Sequence, residues 1–249
     1  TGGASAGIVD SGNVAVAGNV TLTTDAGNGV INMGTLQQSA GDLILVTNGT
    51  GAATVVNNAG IDFGTSNVGG ALSATASAGN ITQNGGAITV AGTSSFILGA
   101  NSANVVLDHA SNAFSGAVTL LAGAGGSQAF GNVTFVDDSA VKIDANADAA
   151  GDLYLNAGTD GAVGGNLAVT ATTGNITQGV AVAVTGTSAF TTSASDATIT
   201  LGTTTNALGG TVAFTTAGTA GNVVIDNGTT GLDLAASTIN GTLTATGGA

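Results

Sequence analysis

The sequence predicts an all-β protein, a parallel β-helix (β-solenoid) whose coils take about 20 residues each. Two observations carry this prediction: the chain repeats itself over a long period, and short apolar runs alternate with polar residues. The composition agrees, because 43 of the 249 residues are Gly, only 6% are charged, and Pro, Cys, Glu and Arg are absent. The charged helix formers Glu, Arg and Lys are therefore almost absent. A hydrophobic content of 43% is too high for a disordered chain.

The long repeat has an offset of 94 or 95 residues. The matching segments are 78–83 with 173–178, 92–96 with 186–190, and 112–116 with 206–210. Such self-similarity is typical of arrays in which each unit packs on its neighbours. An earlier, diverged copy places Gly18 only 74 residues before Gly92, a shortening of about one coil. A solenoid tolerates the loss of a whole coil, whereas a β-sandwich would lose two strands and its closure.

Runs with strand-like alternation recur about every ten residues, separated by Gly, Asn, Asp and Ser. Clear examples are residues 19–23, 42–46, 117–121, 132–136, 152–155 and 242–246. Roughly 12 coils stacked at ~4.8 Å would give a rod about 60 Å long. The glycine cluster at residues 123–126 predicts a loop between coils. We expect residues 1–249 to be one continuous solenoid segment of a longer or polymerising chain, because neither end shows a capping sequence.

The charge balance excludes several partner classes. All 14 acidic residues are Asp and the only basic residue is Lys142, which gives a net charge of -13. Nucleic acid is excluded as a partner because phosphate neutralisation needs Lys and Arg. No apolar run approaches the ~18 residues that would span a bilayer, so we expect no membrane insertion. The absence of Cys excludes disulfides and thiolate-bound metals.

Residues able to carry out catalysis are sparse, and we expect no enzyme and no cofactor. His109 is the only histidine, and Asp108 beside it would point to the opposite face of a strand. The densest acidic stretch contains Asp137, Asp138, Asp144 and Asp148. These carboxylates are weak calcium candidates, because Asp oxygens suit hard cations. The alternative is a solvated corner whose Asp residues favour turns.

The use of aromatic residues bears on sugar recognition. Only 3% of residues are aromatic. Phe96, Phe135, Phe190 and Phe214 stand in strand pattern and are expected in the core, whereas Tyr154 could lie outside. A carbohydrate-active or glycan-binding β-helix that uses surface Asp residues remains an alternative function. It would need two carboxylates about 5–10 Å apart in an exposed groove.

Segments such as GNITQ, LAVTAT at residues 167–172 and ASTING at residues 236–241 resemble the repeats of large secreted bacterial adhesins. The chain is similar to filamentous-haemagglutinin-like exoproteins of two-partner secretion and to their β-strand-repeat relatives. The resemblance implies a right-handed parallel β-helix, an extracellular or bacterial cell-surface location, and a structural role in adhesion or fibre assembly. The implied partners are further copies stacked end to end or a continuation of the same chain, with host or cell-surface glycans as a further class.

Overall fold

The computed structural model describes residues 7–25, 27–123, 128–157 and 161–249. Within these ranges all regular structure is β-strand, and no helix is long and apolar enough to cross a membrane. The strands are β1 (Ile8–Val9), β2 (Val14–Val16), β3 (Val20–Thr23), β4 (Ile31–Gln38), β5 (Leu43–Val46), β6 (Ala53–Asn57), β7 (Ile61–Phe63), β8 (Ser66–Val68), β9 (Leu72–Ala76), β10 (Ile81–Gln83), β11 (Ile88–Val90), β12 (Ser94–Leu98), β13 (Val105–Leu107), β14 (Ala113–Phe114), β15 (Val118–Ala122), β16 (Val133–Asp137), β17 (Val141–Asp144), β18 (Asp152–Asn156), β19 (Ala162–Val163), β20 (Leu167–Ala171), β21 (Ile176–Gln178), β22 (Ala183–Val184), β23 (Ser188–Ser195), β24 (Ile199–Leu201), β25 (Ala207–Leu208), β26 (Thr211–Ala217), β27 (Val223–Asp226), β28 (Asp233–Leu234) and β29 (Leu243–Thr246). Residues 124–126 of the predicted glycine loop lie outside the described ranges.

The strands stack in parallel into two long sheets and one short sheet, which confirms the predicted β-solenoid. Sheet A runs β1-β4-β6-β9-β12-β15-β18-β17-β21-β24-β27-β29, sheet B runs β14-β11-β8-β5-β7-β10-β13-β16-β20-β23-β26-β28, and sheet C runs β19-β22-β25. In sheet A, Ala53 pairs with Leu72, Leu72 with Ser94, and Ser94 with Val118. Coils therefore take about 22 residues and number about ten, rather than the predicted 20 and 12. The stack is correspondingly about 50 Å long.

The core lies between the inner faces of the two long sheets. Alternate residues of each strand are buried, as in β9, where Leu72, Ala74 and Ala76 are inside. All seven Phe side chains are fully buried, so the prediction that Phe96, Phe135, Phe190 and Phe214 pack the core is confirmed. The rings of Phe63 in sheet B and Phe96 in sheet A lie 5.9 Å apart, edge to face. The outer faces of the two sheets therefore point away from a shared core.

The corners of the coils are held by asparagine side chains that bond from one coil to the next. Asn80 Oδ1 accepts the backbone N–H of Asn104 at 2.9 Å, and Asn104 Oδ1 accepts that of Asn132 at 2.6 Å. Asn132 and Asn166 extend this ladder in the same way. At an adjacent corner a side chain on Gly116 would overlap the backbone of Gly92. Glycine is needed there because the coils approach too closely for a Cβ atom.

The two sequence repeats occupy different sheets. Ile81 lies in sheet B whereas its counterpart Ile176 lies in sheet A, and Ser94 lies in sheet A whereas Ser188 lies in sheet B. The exchange occurs between β16 and β20, where β17 lies beyond β18 although it comes earlier in the chain. This places an additional strand in sheet A. The second repeat is thus turned by about half a coil relative to the first.

Candidate functional site

The acidic stretch predicted as a weak calcium site begins with a buried carboxylate. Asp137 is only 2% exposed. Its Oδ1 accepts the backbone N–H groups of Phe114 and Asp138, both at 2.9 Å, and its Oδ2 accepts the hydroxyl of Ser139 at 2.7 Å. Burial raises the pKa of Asp137 despite these donors. The alternating pattern of β16 places Asp137 on the same inner side as Phe135.

The other three carboxylates of this stretch have separate surroundings. Asp144 forms an ion pair with Lys142 Nζ, which lowers the pKa of Asp144. Asp148 accepts a hydrogen bond from Asn146 Nδ2 at 3.0 Å, and Asp138 is exposed. Within the part of the chain that the structure describes, no three or more His or Asp side chains form a group able to hold a metal ion.

His109 occupies a turn after β13. Its Nδ1 accepts the backbone N–H of Ser111 at 3.1 Å, and its carbonyl oxygen accepts that of Asn112 at 3.0 Å. Asp108 beside it is exposed. These contacts close the turn.

The motif residues that recur between the repeats build a buried amide pair. In the second repeat Gln178 Nε2 donates to Asn206 Oδ1 at 2.8 Å, and Asn206 Nδ2 donates back to Gln178 Oε1 at 3.0 Å. Gln83 and Asn112 form the same reciprocal pair at 2.7 and 2.9 Å. Sequence reasoning missed this role. The recurrence of this glutamine and this asparagine at equivalent places in both repeats was visible in the sequence. Polar residues that recur in this way are expected to make hydrogen bonds that stabilise the coils.

The last coil exposes apolar side chains that face inward. Leu234 is in register with Val212, and Leu243 with Val223. Val212 and Val223 are fully buried, whereas Leu234 is 43% and Leu243 is 42% exposed. With Ala235, Ser237, Ile239 and Gly241 these leucines line a cavity of about 450 Å³. We call this surface the open end.

A polar groove lies on the outer side of sheet B in the first repeat. It has a volume of about 320 Å³, and its lining includes Gln38, Asp62, Asn80 and Thr82 but no aromatic residue. Asp62 accepts the hydroxyl of Thr82 at 2.9 Å. Asp42 lies one coil away, because the residues that follow Asp42 and Asp62 pair in register.

Comparison with protein families matches both repeats. A family model described as repeats of unknown function (DUF5649) covers residues 50–121 and 130–215. The chain belongs to this family. Its two matched segments end at equivalent points of the two repeats, 94 residues apart, as the internal self-similarity requires. No curated protein and no solved structure matches the chain.

Proposed function

We propose that this DUF5649 repeat chain is a structural protein that builds filaments by end-to-end stacking of β-solenoid rods. The observation that carries the proposal is the open end. Leu234 and Leu243 occupy inward positions that the coil before them buries as Val212 and Val223, so another coil stacked on them would complete the core. Burying a leucine side chain contributes about 1.5–3 kcal/mol.

A second copy of the chain fits the open end by its strand geometry, as a continuation of the same chain would. The edge of β29 needs a parallel strand, and β1 and β2 at the other end of sheet A run in that direction. Ile8 and Val14 of these strands pair in register with buried Ile31 and Leu36, so they present apolar side chains to the same core. Head-to-tail stacking is a heterologous contact, which produces open filaments rather than closed rings.

The test uses a matched pair of variants on β29. Leu243→Asp puts a charge on the inward side of the open end, whereas Thr244→Asp puts the same charge on the outward side of the same strand. We expect electron microscopy to show filaments with an axial repeat of about 50 Å for the wild type and for Thr244→Asp, and single rods for Leu243→Asp. Wild-type chains that stay as single rods at the highest soluble concentration would overturn the proposal.

The proposal extends to location and adhesion. A stiff, cysteine-free solenoid of net charge -13 suits an exported surface fibre of the filamentous-haemagglutinin-like kind on a bacterial cell. In that setting the rod acts as a spacer and its outer faces make multivalent contacts.

Divalent cations would bridge acidic faces of neighbouring copies. Chelation of calcium should therefore lower the extent of association, measured by sedimentation with and without calcium.

A glycan-binding function is the second candidate, and the polar groove supports it. Asp62 and Asp42 on successive coils offer two carboxylates beside a 320 Å³ groove. Carboxylate oxygens accept hydrogen bonds from hydroxyl groups, so these two side chains would offer acceptors to a sugar. Loss of binding on a glycan array in Asp62→Asn, but not in Asp233→Asn, would support it. Equal binding by both variants would exclude the groove.

A further inference from the structure

The tripeptide Asn-Gly-Thr occurs three times in the chain, in three different surroundings. The copies are residues 48–50, 227–229 and 240–242. The first lies at the corner after β5, the second at the corner after β27, and the third in the last coil, just before β29. Because the three copies share one sequence, a difference in their chemistry has to come from the fold.

An Asn-Gly pair is able to modify itself. The main-chain nitrogen of the glycine attacks Cγ of the asparagine, a bond forms between these two atoms, and the bond from Cγ to Nδ2 breaks. Ammonia leaves with the proton of the glycine N–H, and a cyclic imide remains. Water then opens the imide to an aspartate or to an isoaspartate, in which one methylene group has joined the main chain. Glycine favours the attack because it has no Cβ atom to hinder it.

Asn48 meets the requirements of this reaction. Asn48, Gly49 and Thr50 are all exposed. Among the residues that the structure describes, neither the Asn48 side chain nor the Gly49 N–H has a hydrogen-bond partner. The Asn48 carbonyl oxygen accepts the N–H of Gly51 at 3.1 Å, which closes the turn. The side chain can therefore rotate to bring Cγ against the Gly49 nitrogen, the orientation on which the rate depends.

Asn227 has the same sequence around it and is held in place. Its side chain is fully buried. Its Oδ1 accepts the N–H of Leu208 at 2.8 Å and its Nδ2 donates to the Leu208 carbonyl oxygen at 3.1 Å. The N–H of Gly228 donates to Asp226 Oδ1 at 2.8 Å, so the attacking nitrogen is engaged as well. The φ angles of Gly49 and Gly228 are 60° and 57°, so glycine conformation does not separate the two copies.

The third copy is intermediate. Asn240 is exposed, but its Nδ2 donates to the carbonyl oxygen of Thr216 at 2.8 Å. The two other Asn-Gly pairs of the chain, at residues 28–29 and 84–85, also have bonded side chains. Asn48 is thus the one Asn-Gly asparagine in the chain whose side chain is unbonded among the described residues.

We propose that Asn48 is a self-modification site, which loses its amide without an enzyme while the folded chain protects Asn227. The product adds a negative charge to a chain of net charge -13. In its isoaspartyl form it also lengthens the main chain next to Thr47, whose Oγ1 accepts the N–H of Gly69 in the next coil at 2.9 Å. The modified corner should therefore hold the next coil less firmly. This inference does not depend on filament assembly.

The experiment follows the three copies in one sample. The folded chain is incubated at mildly alkaline pH, and peptide mass spectrometry measures the loss of each amide over time, with fragmentation to distinguish isoaspartate from aspartate. We expect Asn48 to react at least about tenfold faster than Asn227, because Asn227 reacts only when its surroundings open. Asn240 should fall between them. In concentrated urea the three copies should react at similar rates.

Two variants serve as matched controls. Asn48→Ser removes the site and should leave the rates at Asn227 and Asn240 unchanged. Freshly prepared Asn48→Asp carries the charge of the product without the lengthened main chain. Hydrogen exchange at the Gly69 N–H should accelerate in the isoaspartyl form of the wild type and stay unchanged in Asn48→Asp.

Three results would overturn the inference. Equal rates at Asn48 and Asn227 in the folded chain would show that the hydrogen bonds of Asn227 give no protection. A difference that persists in urea would show that neighbouring residues, and not the fold, set the rates. Unchanged exchange at Gly69 in the isoaspartyl form would refute the loosening of the corner.

Discussion

Removal of Asn206 tests whether the buried amide pairs hold the coils together. Asn206 is 2% exposed and bonds to three parts of the stack. Its Oδ1 accepts the backbone N–H of Val182 at 2.8 Å, and its Nδ2 donates to the carbonyl oxygens of Leu201 and Asp226 at 3.1 and 2.9 Å. Asn206→Ala leaves these buried main-chain groups, and Gln178, without that partner.

The expected cost follows from the number of groups left unpaired. A buried donor or acceptor without a partner costs about 1–3 kcal/mol. With the Val182 N–H and at least one carbonyl group unpaired, Asn206→Ala should lower the free energy of unfolding by about 3 kcal/mol or more. The control is Asn175→Ala, an exposed corner residue whose Oδ1 accepts only the N–H of Thr198, at 2.8 Å, among the contacts seen. Its cost should be about 1 kcal/mol or less.

The measurement is urea unfolding followed by far-ultraviolet circular dichroism, with hydrogen exchange at the Val182 amide as a local readout. Exchange of that amide should accelerate in Asn206→Ala and stay unchanged in Asn175→Ala. Equal losses of stability in the two variants would refute the reasoning, because they would show that the buried amide does no more than a surface corner residue.

Three further predictions concern single side chains. Burial raises the pKa of Asp137, so the folded chain binds the carboxyl proton more tightly than the unfolded chain does. The free energy of unfolding should therefore fall as the pH rises from the ordinary carboxyl pKa through the raised value in the folded chain. Asp137→Asn should abolish that fall in urea titrations across this pH range, and an unchanged pH profile would contradict the prediction. Hydrogen bonds from the backbone N–H groups of Thr219 and Ala220 lower the pKa of Asp196. The stability that the charged carboxylate contributes should be lost as the pH falls through this lowered pKa. Urea unfolding at a series of acid pH values should show this loss in the wild type and not in Asp196→Asn. The buried Ser94 hydroxyl has no hydrogen-bond partner among the residues that the structure describes, so Ser94→Ala should raise the free energy of unfolding by about 1 kcal/mol. A marked loss of stability on chemical denaturation would contradict this prediction.

The strand pattern was readable from sequence because sheet burial has a period of two residues. The runs at residues 117–121 and 132–136 predicted strands that the structure places at Val118–Ala122 and Val133–Asp137. The half-coil turn was not readable, since the strand pattern around Lys142 does not reveal which coil β17 will join. Only the pairing of β17 with both β18 and β21 establishes it.

The polar residues were harder to predict than the apolar ones. Asp137 was expected to be a solvated corner or a weak calcium ligand, but it is buried. Residue 137 is two positions after Phe135 and therefore lies on the same inward side of the strand. A charged carboxylate is not expected at such a buried position. Asn227 makes the same contact in the second repeat. Its Oδ1 accepts the backbone N–H of Leu208, and Asp137 Oδ1 accepts the backbone N–H of Phe114, which is the counterpart of Leu208 in the first repeat. An amide holds this corner beside Leu208, whereas a carboxylate holds it beside Phe114.

Because of the half-coil turn, equivalent strands of successive repeats lie alternately in sheet A and sheet B. The side of the rod on which an equivalent outer surface lies therefore depends on whether the number of preceding repeats is odd or even. Val20, Ser94 and Ser188 open equivalent strands in three successive copies and lie in sheets B, A and B. The first interval is shorter by about one coil, and the alternation survives it. Recombination that removes one coil would therefore leave all later surfaces facing as before. Recombination that removes one whole repeat would turn every later surface to the other side of the rod.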